Sequence, residues 1–404
     1  MSLVLLPVMG CVLFGVWYLQ PRFFAGTQTL QVSQPVCGVW QATSGSVFGP
    51  RVPNLYGLEV LAEDDIWGLG TGTTLYHWNG SGWQNIDLPA PGPGSEADLA
   101  DIAALPDGQL WAVGSYEHPH QVEHTLTYRM AGGEWTRVES PDVEAASTTL
   151  YSVAGTTKDD VWAVGSYTTG YQSHALVLHW DGARWTRVEG LSECPGDQDL
   201  SGVLAFSPSD AWAVGSCSLG QLGSLTETTR TLVQHWDGSA WNVVPSPNHT
   251  PGPYIDSSSL RVVAGAGSQD LWAAGHYWDS DGRRGYWTQP MLQHWDGKQW
   301  SEVSFAHPGT HTTASLSDVL ALSPNDVWAL GSYSAGWLHP FATHWDGKQW
   351  SEVPVPNPLS EGLYRTIAPV SEGKLWAAGF GFDNEDGAYY GLLARFGIQA
   401  CPAP

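Results

Sequence analysis

Aromatic side chains are the residues of this chain best suited to bind a ligand. They gather in a few short polar segments, where an exposed ring can stack on a sugar ring or anchor a protein partner. The alternative is that the rings pack on one another and stiffen the segments that carry them. The sequence predicts a ligand-binding surface formed by Tyr167, Tyr171, Tyr277, Trp278, Trp287, Trp337, His339, Phe382 and Tyr389.

Histidines occur in two patterns that imply different chemistry. Five of the 14 histidines precede a Trp in one recurring motif, and this recurrence predicts a structural hydrogen bond within each copy. They are His77, His179, His235, His294 and His344. A separate cluster of His118, His120 and His124 contains possible transition-metal ligands. Its spacing matches no fixed ligand geometry, so we predict no metal site there.

Acidic residues form two short runs, residues 279–281 and 383–386. Carboxylate and amide oxygens bind calcium, but neither run has the spaced pattern of a known calcium loop. Solvated turns explain both runs. We therefore expect no metal and no other cofactor.

Motifs for catalysis are missing from the sequence, which contains no nucleophile elbow, phosphate loop, zinc-binding helix or nucleotide fingerprint. Sialidase chemistry requires clustered arginines, and we expect only Arg51, Arg283 and Arg284 to reach a binding face. Paired carboxylates for glycoside cleavage stay open as an alternative, because the chain has 40 acidic residues. The sequence favours a binding protein over an enzyme.

The charge balance excludes two classes of partner. The net charge is −24 at pH 7, with 16 Lys and Arg against 40 Asp and Glu. Such a surface repels nucleic-acid phosphates and anionic lipid headgroups, so we expect neither as a partner.

A Trp-rich repeat supplies the elements that must position these residues. Its best copy reads LYSVAGTTKDDVWAVGSY followed by ALVLHWDGARWTRVE, within residues 150–189. Copies recur roughly 50 residues apart, a period typical of stacked supersecondary units. The leading Trp of each copy is Trp67, Trp111, Trp162, Trp212, Trp272, Trp328 or Trp376.

Each repeat predicts four short antiparallel strands, which we call a, b, c and d in chain order. In the third copy they cover residues 150–155, 161–167, 175–180 and 184–189, with Asp181 and Gly182 in the hairpin turn between c and d. The predicted fold is therefore all-β, a seven-bladed propeller.

Alternation of side chains along strand b predicts how neighbouring blades pack. Trp162 and Val164 share one face, whereas Ala163 and Gly165 share the other. The large face of one blade can then fill the space above the small face of the next. The b-to-c and d-to-a loops open on one face of such a ring, and the aromatic candidates fall in this loop-rich face.

The DVWAVG and HWDGxxW elements resemble those of bacterial extracytoplasmic propellers of the kelch and galactose-oxidase-like type, over about residues 37–400. The resemblance implies the propeller fold and is nearly silent on function. Ala and Gly in WAVG replace the paired glycines of an ordinary kelch strand.

Ring closure is predicted from the two ends of the repeat region. The seventh copy has no WDGxxW strand, and residues 39–41 resemble the start of strand d, so this N-terminal segment should complete blade 7. Cys37 and Cys401 flank these segments, and we expect a disulfide between them.

The other cysteines support an oxidising destination. Cys194 and Cys217 are placed to form a bridge across the loop-rich face of blade 4. The alternative use of Cys217 is a Tyr and Cys redox centre like that of copper radical oxidases.

The N-terminus carries an uncharged apolar run, residues 3–19, which at about 1.5 Å per residue just spans a bilayer core. It predicts a signal anchor, with a cleaved signal peptide and lipidation at Cys11 as alternatives. We expect residues 1–19 to be the anchor or signal, 20–36 a linker and 37–404 the propeller.

The predicted function is binding of a surface glycan or an envelope protein through the loop-rich face of a membrane-tethered, extracytoplasmic propeller. The alternatives are a carbohydrate-active hydrolase or lyase, and an envelope scaffold without a small ligand.

Overall fold

The computed structural model describes residues 38–42, 54–117, 122–144, 147–189, 194–220, 228–249, 257–280, 286–308, 312–371, 373–385 and 387–398. Within these ranges the chain forms 28 β-strands and no helix, and therefore no helix able to span a bilayer. The predicted anchor and linker, Cys11, Cys37 and Cys401 lie outside the described residues.

The strands form seven antiparallel sheets of four, which we number as blades 1 to 7. Blade 1 comprises β2 (Gly57–Ala62), β3 (Asp65–Leu69), β4 (Thr74–Trp78) and β5 (Trp83–Asp87). Blade 2 comprises β6 (Glu96–Ala104), β7 (Leu110–Glu117), β8 (Glu123–Ala131) and β9 (Glu134–Arg137). Blade 3 comprises β10 (Ser147–Thr157), β11 (Asp160–Thr169), β12 (Gln172–Trp180) and β13 (Trp185–Arg187). Blades 4 and 5 comprise β14 (Gln198–Ser207), β15 (Asp210–Ser218), β16 (Thr229–Trp236), β17 (Trp241–Val243); and β18 (Ser258–Gly267), β19 (Asp270–Ser280), β20 (Tyr286–Trp295), β21 (Trp300–Glu302). Blade 6 comprises β22 (Ala314–Ser323), β23 (Asp326–Ser334), β24 (Leu338–Trp345) and β25 (Trp350–Val353).

Blade 7 combines the two ends of the described chain, as predicted. Its three consecutive strands are β26 (Glu361–Ser371), β27 (Lys374–Asp383) and β28 (Ala388–Ile398), and its fourth is β1 (Gly38–Ala42). The β1 strand runs antiparallel to β28 with Trp40 opposite Phe396. The seven-bladed, all-β prediction is confirmed.

Edge-to-face Trp pairs join neighbouring blades. The strand d Trp of one blade packs against the strand b Trp of the preceding blade, with ring centroids 5.1 Å apart for Trp185 and Trp111 and 5.2 Å apart for Trp241 and Trp162. The same T-shaped contact occurs at six junctions, in the pairs Trp135–Trp67, Trp185–Trp111, Trp241–Trp162, Trp300–Trp212, Trp350–Trp272 and Trp40–Trp328. At the seventh junction, Trp83 packs against the cluster that contains Trp376.

The predicted large and small blade faces also meet. Trp162 and Val164 of blade 3 share one buried cluster with Ala211 and Ala213 of blade 4. The small alanine side chains leave space at the blade interface, and the indole of the preceding blade fills that space.

In five blades a His ring contacts an Asp carboxylate and packs on the strand b Trp, and in blades 1, 4, 5 and 6 the Asp also accepts a hydrogen bond from the Trp Nε1 atom. In blade 4, the Asp210 Oδ1 atom lies 2.9 Å from His235 Nε2 and accepts a 3.2 Å hydrogen bond from Trp212 Nε1, and the His235 ring stacks on Trp212 with centroids 4.2 Å apart. The equivalent histidines are His77, His179, His294 and His344. The predicted structural role of the five histidines is confirmed.

Blades 2 and 7 replace this histidine by an arginine that lies over the strand b Trp instead. The distance from the guanidinium carbon to the ring centroid is 5.8 Å for Arg129 over Trp111 and 5.3 Å for Arg395 over Trp376. A cation over an indole face occupies the place of the stacked imidazole.

Trp40→Ala tests the ring closure. Trp40 is 4% exposed and packs on Trp328 and Phe396. Its truncation should lower the free energy of unfolding by about 3–5 kcal/mol, measured by urea denaturation. The matched control is Val39→Ala on the same strand, because Val39 is 52% exposed and its truncation should change stability by less than about 0.5 kcal/mol. Equal effects of the two substitutions would contradict the proposed closure.

Candidate functional site

The first strand of each blade lines a central cavity of 880 Å³. Residues of β2, β6, β10, β14, β18, β22 and β26 contribute to its wall, so strand a is the innermost strand of every blade. Ser173, Thr229 and Thr288 also line the cavity and lie near the start of strand c. The cavity therefore lies toward the face that carries the b-to-c connections.

A β-bulge aims one side chain per blade into this cavity. In blades 2 to 7, the pairing of strand a with strand b skips one residue of strand a. A bulge leaves the extra residue unpaired and redirects its side chain. Tyr56 holds the same place in blade 1, directly after Leu55. The seven residues, which we call the bulge ring, all line the cavity: Tyr56, Ala100, Tyr151, Ser201, Arg261, Ser317 and Arg365.

The bulge explains the glycine of the WAVG element. A Cβ at Gly165 would overlap the carbonyl oxygen of Thr149, which precedes the bulge on strand a. The equivalent glycines of blades 2, 4, 5, 6 and 7 meet the same strand a carbonyl: Gly114, Gly215, Gly275, Gly331 and Gly379. Only glycine permits this approach of the two backbones.

Two members of the bulge ring are arginines, Arg261 in blade 5 and Arg365 in blade 7. Burial lowers the pKa of Arg365, and repulsion from the Arg261 charge lowers it further. The Arg365 guanidinium carbon lies 5.7 Å from the ring centroid of Phe380. Within the described part of the chain, no carboxylate forms an ion pair with either arginine.

His276 lies beside this arginine pair. It follows Gly275 in strand b, where blades 2, 3, 4 and 6 have a serine: Ser115, Ser166, Ser216 and Ser332. Burial lowers the pKa of His276 to about 4, and the Arg261 charge acts in the same direction. His276 is therefore neutral at pH 7 and can donate or accept a hydrogen bond in the cavity wall.

The wall at blades 3 and 4 is hydroxyl-rich and acidic. The Tyr151 hydroxyl lies 2.9 Å from Ser166 Oγ, and burial raises the pKa of Tyr151. Asp199 accepts a 2.6 Å hydrogen bond from Ser201 and another from Ser216. The cavity thus has its two arginines at blades 5 and 7, whereas carboxylates line it at blades 1, 2, 4 and 6.

Two aspartates in the cavity wall join blades. Asp101 Oδ2 accepts hydrogen bonds from Ser152 Oγ at 2.8 Å and from the Val153 amide at 3.0 Å, and both donors belong to the next blade. Asp318 Oδ2 accepts the Ile367 amide of the next blade at 3.0 Å. These contacts hold adjacent innermost strands in register.

Four of the predicted ligand-binding residues present an exposed ring. The exposed fractions are 88% for Tyr171, 39% for Trp278, 53% for Trp337 and 64% for Tyr389. Trp337 lies in the short connection after β23, whereas Trp278 and Tyr389 lie in strands. These four rings are the available aromatic binding surfaces among the predicted set.

Three of the other five predicted residues pack against their neighbours. Tyr167 contacts His174 and the Arg187 guanidinium, with centroid distances of 5.0 Å and 5.1 Å. Tyr277 stacks on His249 at 3.8 Å, and His339 lies 5.4 Å from Tyr333. The alternative of mutual packing therefore holds for these three residues.

The b-to-c connections of blades 5 and 7, which the sequence predicts to be loops, are largely strand. Strands β19 and β20 continue to pair beyond the sheet, with Trp278 opposite Thr288 and Asp279 opposite Trp287. In blade 7, Phe382 pairs with Tyr389. Continued backbone hydrogen bonding holds these aromatic residues on hairpins, which position side chains more firmly than loops do.

A cluster of aromatic side chains connects the blade 7 hairpin to the cavity. Tyr56 of the bulge ring lies 5.1 Å from Phe380, which lies 6.4 Å from Tyr389, and Phe382 lies 5.0 Å from Tyr389. Rings thus extend from the Arg365 side chain toward the exposed hairpin.

The predicted bridge between Cys194 and Cys217 is present, with Cα atoms 5.9 Å apart. It joins the segment before β14 to the end of β15, next to the cavity residues Asp197 and Ser218. The redox-centre alternative is wrong, because the Cys217 sulfur is bonded to Cys194.

Several other predicted residues lie outside the described ranges, namely His118, His120, Arg51, Arg283, Arg284, Asp281 and Asp386. Of the histidine cluster, His124 is described, and its Nδ1 atom lies 2.9 Å from Asp142. Among the described residues, no group of three His, Cys, Asp or Glu side chains is arranged to hold a metal ion.

The sequence prediction missed Arg261, Arg365 and His276. A signal for the two arginines exists, because the residue after the buried Leu or Tyr near the start of strand a aligns in all seven repeats and is large or charged in four of them. Those four are Tyr56, Tyr151, Arg261 and Arg365. Without knowledge of the bulge, the alternation of side chains along a strand predicts that this side chain points to a face of the blade and not into the cavity.

Comparison with known proteins identifies the architecture alone. No protein-family model matches the chain, and no curated protein does. Similar solved structures include YCF48 bound to D1 peptide (13% identity, TM-score 0.52, 92% of this chain and 100% of that chain). They also include the WD40 β-propeller domain of Doa1 (10%, 0.52, 90% and 98%) and the polysaccharide lyase Uly1 (8%, 0.53, 95% and 98%). These similarities show a shared propeller fold, and the resemblance to kelch-type propellers is not confirmed.

His276→Ser tests the environment of the cavity. Since the pKa of His276 is lowered to about 4 in the folded chain, the unfolded chain binds a proton below about pH 6.5 that the folded chain does not. Wild-type stability should therefore fall relative to the variant by about 2 kcal/mol from about pH 7.5 to about pH 5. Urea denaturation at both pH values measures the difference, and parallel changes in the two proteins would contradict it.

Proposed function

We propose that this chain is a glycan-binding propeller whose ligand enters the central cavity from the loop-rich face. The observation that carries the proposal is a polar cavity of 880 Å³ beneath a face that presents exposed aromatic rings. Sugars combine hydroxyl groups with flat apolar faces, so they require both hydrogen-bonding side chains and aromatic surfaces.

The cavity wall supplies the hydrogen-bonding groups. Serine and threonine hydroxyls from several blades line it, together with the Tyr151 hydroxyl and the Gln198 amide. A wall of this composition suits a hydrated ligand better than an apolar one, because an apolar ligand would leave these groups unpaired.

The hairpins supply the stacking surfaces. Trp278 and Trp337 belong to the adjacent blades 5 and 6, and both rings are exposed at the ends of strands b and c. A chain-like glycan that leaves the cavity over these blades can stack on them. A bound polypeptide is the competing ligand class and is an outcome of the experiment below.

We also propose an extracytoplasmic, membrane-tethered location. The apolar run at residues 3–19 supports a tether, and the disulfide between Cys194 and Cys217 supports an oxidising compartment. Proteolysis of intact cells, with detection of cleaved propeller fragments, tests the location.

The double substitution of Trp278 and Trp337 by Ala tests the glycan-binding proposal. The full chain, purified in detergent, is placed on an array of plant, algal and bacterial glycans, and the hits are titrated by calorimetry. We expect saturable binding by the wild type and at least about tenfold weaker binding by the double variant. The melting temperature should stay unchanged, because both rings are exposed.

Leu219→Ala is the matched control. Leu219 is 50% exposed and follows β15, on the same face of the molecule. This variant should bind like the wild type. Absence of binding to every glycan would overturn the proposal, and release of shortened or unsaturated sugars would replace binding by catalysis.

A further inference from the structure

Arg261 and Arg365 form an uncompensated pair of cations in an acidic protein. The chain has 40 acidic residues and 16 basic ones, yet no acidic side chain of the described residues pairs with either guanidinium. Each reaches the cavity from a bulge position and is close enough for the Arg261 charge to act on Arg365. Two cations held together in this way favour an anion between them.

Blade 6 leaves room for that anion. Its bulge residue, Ser317, lies between the bulge residues of blades 5 and 7 in the ring, and its neighbour Ser315 also lines the cavity. Small hydroxyl side chains therefore lie between the two arginines, and the neighbouring Asp318 carboxylate accepts hydrogen bonds from the Val319 and Ile367 amides. A carboxylate or sulfate seated there can accept hydrogen bonds from both guanidinium groups and from a serine hydroxyl.

Other residues of the cavity wall favour one orientation of the bound ligand. Asp199 is hydrogen-bonded by Ser201 and Ser216 in blade 4, and its negative charge disfavours an anion on that side. Neutral His276 adds a hydrogen-bonding group beside Arg261 without adding charge. Beside Arg365, Tyr56 lines the cavity and packs on Phe380, and it provides an aromatic face for the sugar ring that bears the anion.

We propose that Arg261 and Arg365 form an anion subsite that selects an acidic glycan, one whose sugar carries a carboxylate or a sulfate ester. This inference rests on the proposed function, because it names the ligand class of the same cavity. Ser315 and Ser317 complete the subsite, and the neutral part of the glycan extends toward the exposed hairpins.

The experiment compares charged and uncharged forms of one glycan. Calorimetry on the full chain in detergent uses tetragalacturonic acid, its fully methyl-esterified form, and a sulfated galactan oligosaccharide. Arg261→Gln, Arg365→Gln and Ser317→Asp are compared with the wild type. The matched control is Arg230→Gln, which removes a cation from strand c of blade 4, outside the cavity wall.

We expect the wild type to bind at least one acidic oligosaccharide at least about tenfold more tightly than the methyl ester, a difference of about 1.4 kcal/mol. A preference for tetragalacturonic acid identifies a carboxylate, and a preference for the sulfated galactan identifies a sulfate ester. Both arginine variants should lose the preference. Ser317→Asp should lose it as well, because its carboxylate occupies the place of the ligand anion. Arg230→Gln should keep it.

Thermal melting separates this role from a purely structural one. Without ligand, Arg261→Gln and Arg365→Gln should melt at the wild-type temperature or above it, because each removes a repulsion between two like charges. Sodium sulfate, compared with sodium chloride at equal ionic strength, should raise the melting temperature of the wild type more than that of the Arg261→Gln/Arg365→Gln variant, which reports the general stabilisation by excluded sulfate.

The outcomes distinguish the subsite from the proposed function. Equal binding of acidic and methyl-esterified sugars would overturn the subsite and leave glycan binding intact. Arginine-dependent stabilisation by sulfate without binding of any glycan would support the subsite and overturn the glycan proposal. Loss of folding in both arginine variants, together with no stabilisation by sulfate, would overturn the subsite in favour of a structural role.

Discussion

Edge-to-face packing between a strand d Trp and the strand b Trp of the preceding blade is the contact on which the ring depends. It occurs as a T-shaped pair at six junctions, and Trp83 packs on the Trp376 cluster at the seventh. The contact combines large apolar burial with a favourable ring geometry. Trp40 extends it to blade 7, although β1 lies at the opposite end of the sequence from the rest of that blade. Repetition of one contact sets the angle between blades and places seven innermost strands around one cavity.

The bulge in strand a converts this uniform scaffold into a specific surface. In blades 2 to 7 the glycine of the WAVG-like element allows the backbones to approach, and the approach lets one residue of strand a point into the cavity. The scaffold places no demand on the identity of that residue. Tyrosine, arginine, serine and alanine all occur there, so the bulge ring can vary while the packing stays constant. Function and fold therefore use different positions of the same strand.

Charges of both signs line the cavity, where five carboxylates accompany two arginines. The chain is strongly acidic, but two of its few cations lie in the cavity without an acidic partner among the described residues. An acidic exterior repels anions at long range and is screened by salt over about 8 Å at physiological ionic strength. The arginine pair acts on a ligand that is already in the cavity and therefore closer than this screening length. Selection of an acidic ligand would thus occur inside the cavity, after the ligand has entered.

The sequence alone determined the architecture because the relevant signals are local and periodic. The recurrence of Trp162 and its equivalents predicted seven blades, and the residues around Trp40 predicted the closing strand. The pairing of His235 with an acceptor in its own blade and the bridge between Cys194 and Cys217 were predicted too, since each joins nearby segments. Only the tertiary structure decided which residues meet at the centre. Arg261 and Arg365 are separated by two blades in the sequence, and the strand a bulge, whose effect on side-chain direction is visible only in the structure, turns both toward one cavity. Ring closure brings them together, and no local pattern encodes that proximity.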